Sequence, residues 1–413
     1  MKNYETGDVV IKEIVLRNKN TQAEINPSDQ IQSIDIYEDF NSPSLYAEVN
    51  LIDKIGMIYD FPIVGEEEID ITFQTPGLPY PVTYKFNVYN VSDVQQVMTS
   101  KGYSYTLKCV SKEHMVQANI NILQSYNETI DDIVFNILVR YLKTNKSIDI
   151  DDTKGNETII INKMTPFTAI DMLRQRAVHK SYVSSSFVFF ENQNGFNFKS
   201  IEQMLEDGKK NIGTKKFYYF QDTQRNSTTE SLMFRSIIEF ENIGRTDIND
   251  IIQQGGIRNR VKTFDIFTKG VEDTEFDLTQ KFTNMVPIDN KNTLNISDTQ
   301  IQNFANNSTF NFFIPKDTDR NPNYLEDMKG AKRAFLKLFN SNFVRVYIPG
   351  DSSIKAGDVV ELNLPQSSGT TGGKSTDELV SGNYIVSRLR HCLTTLGKSK
   401  HYISMDCNKV GLR

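Results

Sequence analysis

Gly65-Glu66-Glu67-Glu68-Ile69-Asp70-Ile71-Thr72-Phe73, closed by Pro76, is the stretch on which the fold turns. Ile69, Ile71 and Phe73 alternate with Glu68, Asp70 and Thr72, the period-two pattern of a strand with one dry face and one wet face. A glycine with acidic neighbours precedes it and a proline stops it. Far along the chain the phrase returns as Gly357-Asp358-Val359-Val360-Glu361-Leu362-Asn363-Leu364, closed by Pro365. The strands that end the two regions match as well: Tyr105-Thr106-Leu107-Lys108-Cys109 against Ile403-Ser404-Met405-Asp406-Cys407. Two echoes in the same order predict an internal duplication of a β-unit.

Around the first echo the alternation continues. Leu45 to Leu51 is apolar at odd positions, and Val82, Tyr84, Phe86 and Val88 alternate with Thr83, Lys85 and Asn87. Turn signals at Asn41-Ser42-Pro43 and Thr75-Pro76-Gly77 separate the strands, so residues 1–111 read as an antiparallel barrel or sandwich. The period then changes. Ile130, Ile133, Val134, Ile137, Leu138 and Tyr141 recur at helical spacing, and Thr165-Pro166 opens a second helix. Asn194-Gly195 between Phe187–Phe190 and Phe196–Phe198 marks a hairpin, making 112–210 an inserted α+β module. A second barrel is expected over 211–268 and 335–413, with a strand near Val261–Phe267 and a polar insertion with a helix over 269–334. The fold class is thus mainly β, with two related antiparallel barrels interrupted by insertions.

At 413 residues the chain holds more than one core. Its net charge of −6 argues against a broad duplex-DNA footprint, which needs a basic surface. The three cysteines, Cys109, Cys392 and Cys407, have no metal-site or redox spacing. No apolar leader opens the chain, and no window reaches the roughly 18 apolar residues of a membrane helix, so no membrane insertion is expected.

With these residues in place, the chain resembles the baseplate central hub family of contractile-tailed phages, which shares its fold with the base of type VI secretion spikes. The resemblance is carried in front by Ile34-Asp35-Ile36-Tyr37-Glu38-Asp39-Phe40 and Leu45 to Asp53, leading into Gly65 to Ile69. Near the end it is carried by Pro349-Gly350-Asp351, Lys355 to Val360, Ser381-Gly382-Asn383-Tyr384-Ile385-Val386 and His391. It implies tail-tube-like barrels and a homotrimer, so that three chains present six similar barrels. It implies as partners a hexameric tail tube protein, a central spike protein and other baseplate wedge proteins. DNA would transit the channel without specific binding. The place would be the virion tail baseplate, after assembly in the host cytoplasm.

No enzyme, cofactor or metal site is expected. H-E-x-x-H and G-x-S-x-G are absent. Gly372-Gly373-Lys374-Ser375 lacks the upstream glycine of a phosphate loop and reads as a hairpin tip. His114, His179 and His391 have no partners at ligand spacing and read as structural or solvated, His391 in a loop before the closing hairpin. Glu66-Glu67-Glu68 reads as a solvated edge. If the wet face lines a channel, Glu48, Glu68 and Asp70 would make it acidic, repelling phosphates so that DNA slides. Two alternatives stand beside the hub: the base of a type VI-like spike, and a tail-associated cell-wall hydrolase. The hydrolase would need a carboxylate pair in the 112–210 module. Asp131 and Asp132 are available there, although a helix start already accounts for them.

Overall fold

The computed structural model describes residues 4–61, 63–97, 102–213, 215–219, 233–244, 248–264, 268–278, 291–292, 311–315, 324–365, 377, 380–395, 397–409 and 411–412. Gly372–Ser375 and most of the polar stretch 270–323 lie outside the described residues.

The front of the chain forms β1 (Val10–Arg17), β2 (Glu24–Ile25), β3 (Ile31–Asp39), β4 (Tyr46–Asp53), a one-turn α1 (Met57–Asp60), β5 (Glu68–Gln74), β6 (Val82–Val97) and β7 (Gly102–Val110). The alternation dictates what each strand buries. Ile69, Ile71 and Phe73 of β5 are sealed in a core with Ile34, Ile36, Val49, Leu51, Phe86, Leu107 and Cys109. At about 25 cal/mol per Å² of apolar surface, such burial is the main force holding the barrel shut. Gly65 sits at φ +98°, where a side chain would be strained, and this tight turn starts β5.

The inserted module contains α2 (Lys112–Gln117), β8 (Ile122–Thr129), α3 (Ile130–Asn136), β9 (Ser147–Ile150), β10 (Asn156–Met164), α4 (Pro166–Arg176), β11 (Phe187–Asn192), β12 (Gly195–Ser200) and α5 (Ile201–Lys210). A π-helical turn, Ile137–Tyr141, extends α3. Thr165 stands at the N-cap position of α4, without a side-chain capping bond, and Pro166 lies in the first turn, where the sequence places it. The β11–β12 hairpin turns at Gln193-Asn194, one residue before the expected Asn194-Gly195, with Gly195 opening β12 opposite Asn192. A Cβ on Gly195 would lie 2.2 Å from the Ser147 carbonyl oxygen of the adjoining β9, so only glycine fits there.

The second β-unit is built from β13 (Lys216–Tyr219), β14 (Ser236–Ile237), β15 (Glu239–Gly244), β20 (Phe343–Pro349), β21 (Val359–Asn363), β22 (Gly382–Thr394) and β23 (Lys400–Asn408). Between its halves lie α6 (Ile248–Gln253), β16 (Arg258–Phe264), β17 (Val271–Asp277), β18 (Lys291–Asn292), β19 (Asn311–Pro315) and α7 (Tyr324–Ser341). The expected strand near 261–267 begins at Arg258 and joins β17 and β19, not a barrel. The helix continues through Ser341 because Ala331, Phe335, Leu338 and Phe339 keep one apolar stripe facing a common core. β24 (Gly411–Leu412) pairs with β18.

Strand order reveals the duplication directly. The first unit runs β1-β5-β6-β7-β4-β3, and the second runs β13-β21-β22-β23-β20-β15. Each strand of one has its counterpart in the other, including the echoed β5 and β21 and the echoed β7 and β23. Gly357, like Gly65, has positive φ, at +90°. Val88 N donates to Glu67 O and Val386 N to Asp358 O, both at 2.8 Å. One expectation needs correction: the second unit is not wholly antiparallel. β13 runs parallel to both β14 and β21, because a long connection from β13 to β14 frees it from hairpin geometry.

Further hydrogen bonds link the ends of each circuit. In the second, Ile238 N donates to Tyr347 O at 2.8 Å, carrying β14 into β15, so the segment joins β13 on one side and β20 on the other. In the first, β1 and β3 do not meet. The β22–β23 hairpin fills the gap: β22 pairs with β3, and Asp8 bridges to Lys400 with His401 N donating to Gly7 O at 2.7 Å. The first barrel, expected within 1–111, therefore takes two strand segments from the end of the chain. β22 threads both cores, with Tyr384, Val386 and Leu389 in the second and Leu393 in the first. Leu393→Ala should lower the unfolding free energy by about 2–5 kcal/mol in urea titrations. A loss below about 1 kcal/mol would mean that the first barrel does not depend on the hairpin.

Candidate assembly interface

Where one core hands over to the other, four polar side chains are buried together. Glu38 takes the inward position of β3 that follows Ile34 and Ile36, while His391 of β22 and His401 of β23 lie between the two cores. Tyr84 of β6 completes the set. Glu38 accepts hydrogen bonds from Tyr84 Oη at 3.0 Å, Gln193 N at 2.9 Å and Ala356 N at 2.8 Å. Its donors thus come from the first barrel, the inserted module and the second barrel. Burial pushes its carboxyl up to about 7, against the pull of these donors.

The network has a direction. With Glu38 as the carboxylate, Tyr84 donates to it and so accepts from His391 Nε2, 3.2 Å away. His391 Nδ1 is then bare and receives the proton of His401 Nε2 at 3.0 Å. This leaves His401 Nδ1 as the bare end, and that atom has no partner. Burial pulls His391 down to about 3, and burial and His391 pull His401 down too, so both are neutral. The sequence reading of His391 as structural agrees with this, but its place is inside a strand, not in a loop. The parity of Leu389, His391 and Leu393 carries that signal in the sequence.

The outward face of the shared sheet is polar and runs without a break across both units. One row passes Glu241, Arg345, Asp406, Arg388 and Asp39; another passes Cys392, Asp35, Glu48, Lys108 and Asn90. Arg345 pairs with Asp406 at 2.7 Å, Arg388 with Asp39 at 2.9 Å and Arg390 with Asp35 at 3.0 Å. The last two pairs tie β22 to β3 and so clip one unit to the other. Glu48 lies on this face and accepts from Tyr37 Oη at 3.4 Å.

Glu68 and Asp70 lie elsewhere. They are on β5, three strands from β4 and roughly 14 Å along the sheet from Glu48. Glu68 pairs with Lys19 at 2.7 Å and Asp70 with Arg17 at 2.6 Å. Both line a cleft of about 700 Å³ between the first barrel and the inserted module. The structure brings these two together and leaves Glu48 apart. Glu66 receives the amide of Asn20 at 3.5 Å, and Glu67 instead turns inward, accepting the backbone N–H groups of Val64, Gly65 and Glu66.

In the module, His114 Nδ1 meets Ser44 Oγ at 3.0 Å, and His179 Nδ1 accepts from Ser181 N at 3.0 Å. Asp131 receives the Thr153 hydroxyl at 2.5 Å and Asp132 that of Thr129 at 2.8 Å. Both carboxylates thus serve the start of α3. Among the described residues, no three His, Cys, Asp or Glu side chains are grouped to hold a metal ion.

No protein-family model and no curated protein matches the chain. Solved structures do match. The tail protein from Neisseria meningitidis MC58 is similar over 98% of this chain and 97% of that one, at 8% identity and TM-score 0.55. The 43 kDa tail protein of prophage MuSo2 from Shewanella oneidensis is similar over 96% and 98%, at 9% identity and TM-score 0.57. At such identity the likeness is one of fold: this chain shares the fold of these two tail proteins.

Glu38 supplies a test of the buried junction. Its folded carboxyl, at about 7, lies above the ordinary 4.5. Its contribution to stability is therefore complete below pH 4.5 and is lost as pH rises through 7. The two histidines act oppositely, losing stability as pH falls below 6.5, and they cancel in a comparison of variants. The stability margin of wild type over Glu38→Gln should shrink by about 3 kcal/mol between roughly pH 4.5 and 8 in denaturant titrations. A margin that stays flat would show that Glu38 does not titrate in this window.

Proposed function

We propose that this protein is the structural central hub of a contractile phage tail baseplate, a homotrimer whose six barrels form a pseudo-six-fold ring. The observation that carries this reading is the duplicated strand order, with both units joined through β22 in one sheet. A chain holding two copies of one barrel gives a three-fold assembly six near-equivalent positions, so it can mate with a six-fold tube on one side and a three-fold spike on the other. The fold shared with two tail proteins, one of them from a prophage, supports the same reading. Its partners would be the tail tube protein, a central spike and the wedge proteins of the baseplate, in the virion tail. The work is mechanical and needs no catalytic group.

The unbroken polar face across both units is the surface we assign to the channel. Glu48 and Asp35 would line it, offset by Arg345, Arg388 and Arg390, which are held by their own carboxylates. Such a wall gives passing DNA no row of free cations to grip. Glu68 and Asp70, held by basic partners beside the module, would contribute less to the channel than Glu48. In sedimentation equilibrium at micromolar concentration the protein should show three times its chain mass of 47.3 kDa. A stable monomer under those conditions would overturn the hub reading.

A further inference from the structure

A cavity of about 400 Å³ lies where the first barrel, the module, α7 and the second barrel meet. Phe40, Phe187 and Phe339 wall it, and Arg174, Lys332 and Arg388 bring charge to it. None of its lining residues is acidic. Arg174 and Arg388 have carboxylate partners in Asp171 and Asp39. Lys332 has none: its ammonium donates to the Arg174 carbonyl oxygen at 3.3 Å and forms no ion pair among the described residues.

The groups facing Lys332 are Arg174, Lys329, Glu202 and Asp171. Glu202 is occupied by the Ser184 hydroxyl and the Ser186 amide, and Asp171 by Arg174. Burial, followed by Arg174, pulls Lys332 down to about 8. A desolvated ammonium facing Arg174, in a cavity that Arg388 also lines, with no carboxylate of its own among the described residues, leaves a deficit of negative charge that an entering anion would fill. Aromatic walls favour an anion with an apolar body over a small hydrated one.

We propose that this cavity binds a carboxylate carried on an aromatic or aliphatic body, the chemistry of a polypeptide's C-terminal end or of a free aromatic acid. The full chain would be titrated calorimetrically at pH 7 with N-acetylphenylalanine, with its neutral amide and with inorganic phosphate. The acid should bind at least tenfold more tightly than the amide, and phosphate more weakly than the acid. Lys332→Gln should abolish the preference for the acid, and Lys332→Arg should keep most of it. Equal binding of acid and amide, an undiminished preference in Lys332→Gln, tighter binding of phosphate, or no binding at millimolar concentration would each overturn the proposal. If Lys332→Gln does not fold, the acid–amide comparison on the native chain still decides. A heptapeptide ending in phenylalanine, free or amidated, separates the two sources. Tighter binding than the free acid assigns the site to a partner's chain end, and equal binding assigns it to a small molecule.

Discussion

One buried carboxylate sets the relation between the parts of this protein. Glu38 sits at the waist between two apolar cores, where an uncompensated charge would be intolerable. Three donors meet it, and each belongs to a different unit of the chain. A hydrogen bond tolerates a few tenths of an ångström, so the first barrel, the module's hairpin and the second barrel cannot slide against one another without leaving Glu38 exposed to the core. Removing one donor leaves a buried acceptor short, at about 1–3 kcal/mol. Apolar packing around the waist stabilises the contact; the polar network specifies which contact it is.

The same waist explains how a duplicated unit became a joined pair. β22 is one strand with two employments: its first half packs Tyr384, Val386 and Leu389 into one barrel, and Leu393 into the other. The bulge between Val386 and Arg388 lies within the first half, ahead of Leu389, where the strand shifts register against β23. Asp8 supports the junction from the other side, with Lys398 and Lys400 within 2.9 Å of its carboxylate. Asp39 and Asp35 do the same for β3 through Arg388 and Arg390. The two barrels are thereby one continuous sheet and not beads on a linker.

Much of this was legible in the chain. Alternation in β5, β6 and β7 set the buried faces, Thr165-Pro166 set the start of α4, and Asn194-Gly195 placed the hairpin to within one residue. The paired glycines at 65 and 357 announced the duplication, because a positive φ must be met by the same residue in both copies. What local pattern could not reach were contacts made across hundreds of residues. Pairing of Asp39 with Arg388 has no signature in either segment. The junction itself leaves a trace in the sequence: Glu38, His391 and His401 occupy inward positions of otherwise apolar strands. A polar residue at such a position must find partners, and that requirement is stronger evidence than the spacing of ligand motifs. The parallel β13 was illegible for another reason, since direction depends on a connection and not on the strand.

Closure of the first barrel by the β22–β23 hairpin also orders events in time. The last strand of the N-terminal set ends at Val110, and its missing neighbours end near residue 400, about 290 residues later. At translation rates of about 5–20 residues per second, roughly 15–60 s separate the two. Throughout that interval the nascent sheet carries two open edges, β1 and β3, of the kind that recruits stray strands. The protein's own tail is the piece that seals them, so the emergence of its final strands, and not the first, licenses the finished fold. A chain cut short before β22 leaves both units unfinished, the first without its hairpin and the second without two of its strands.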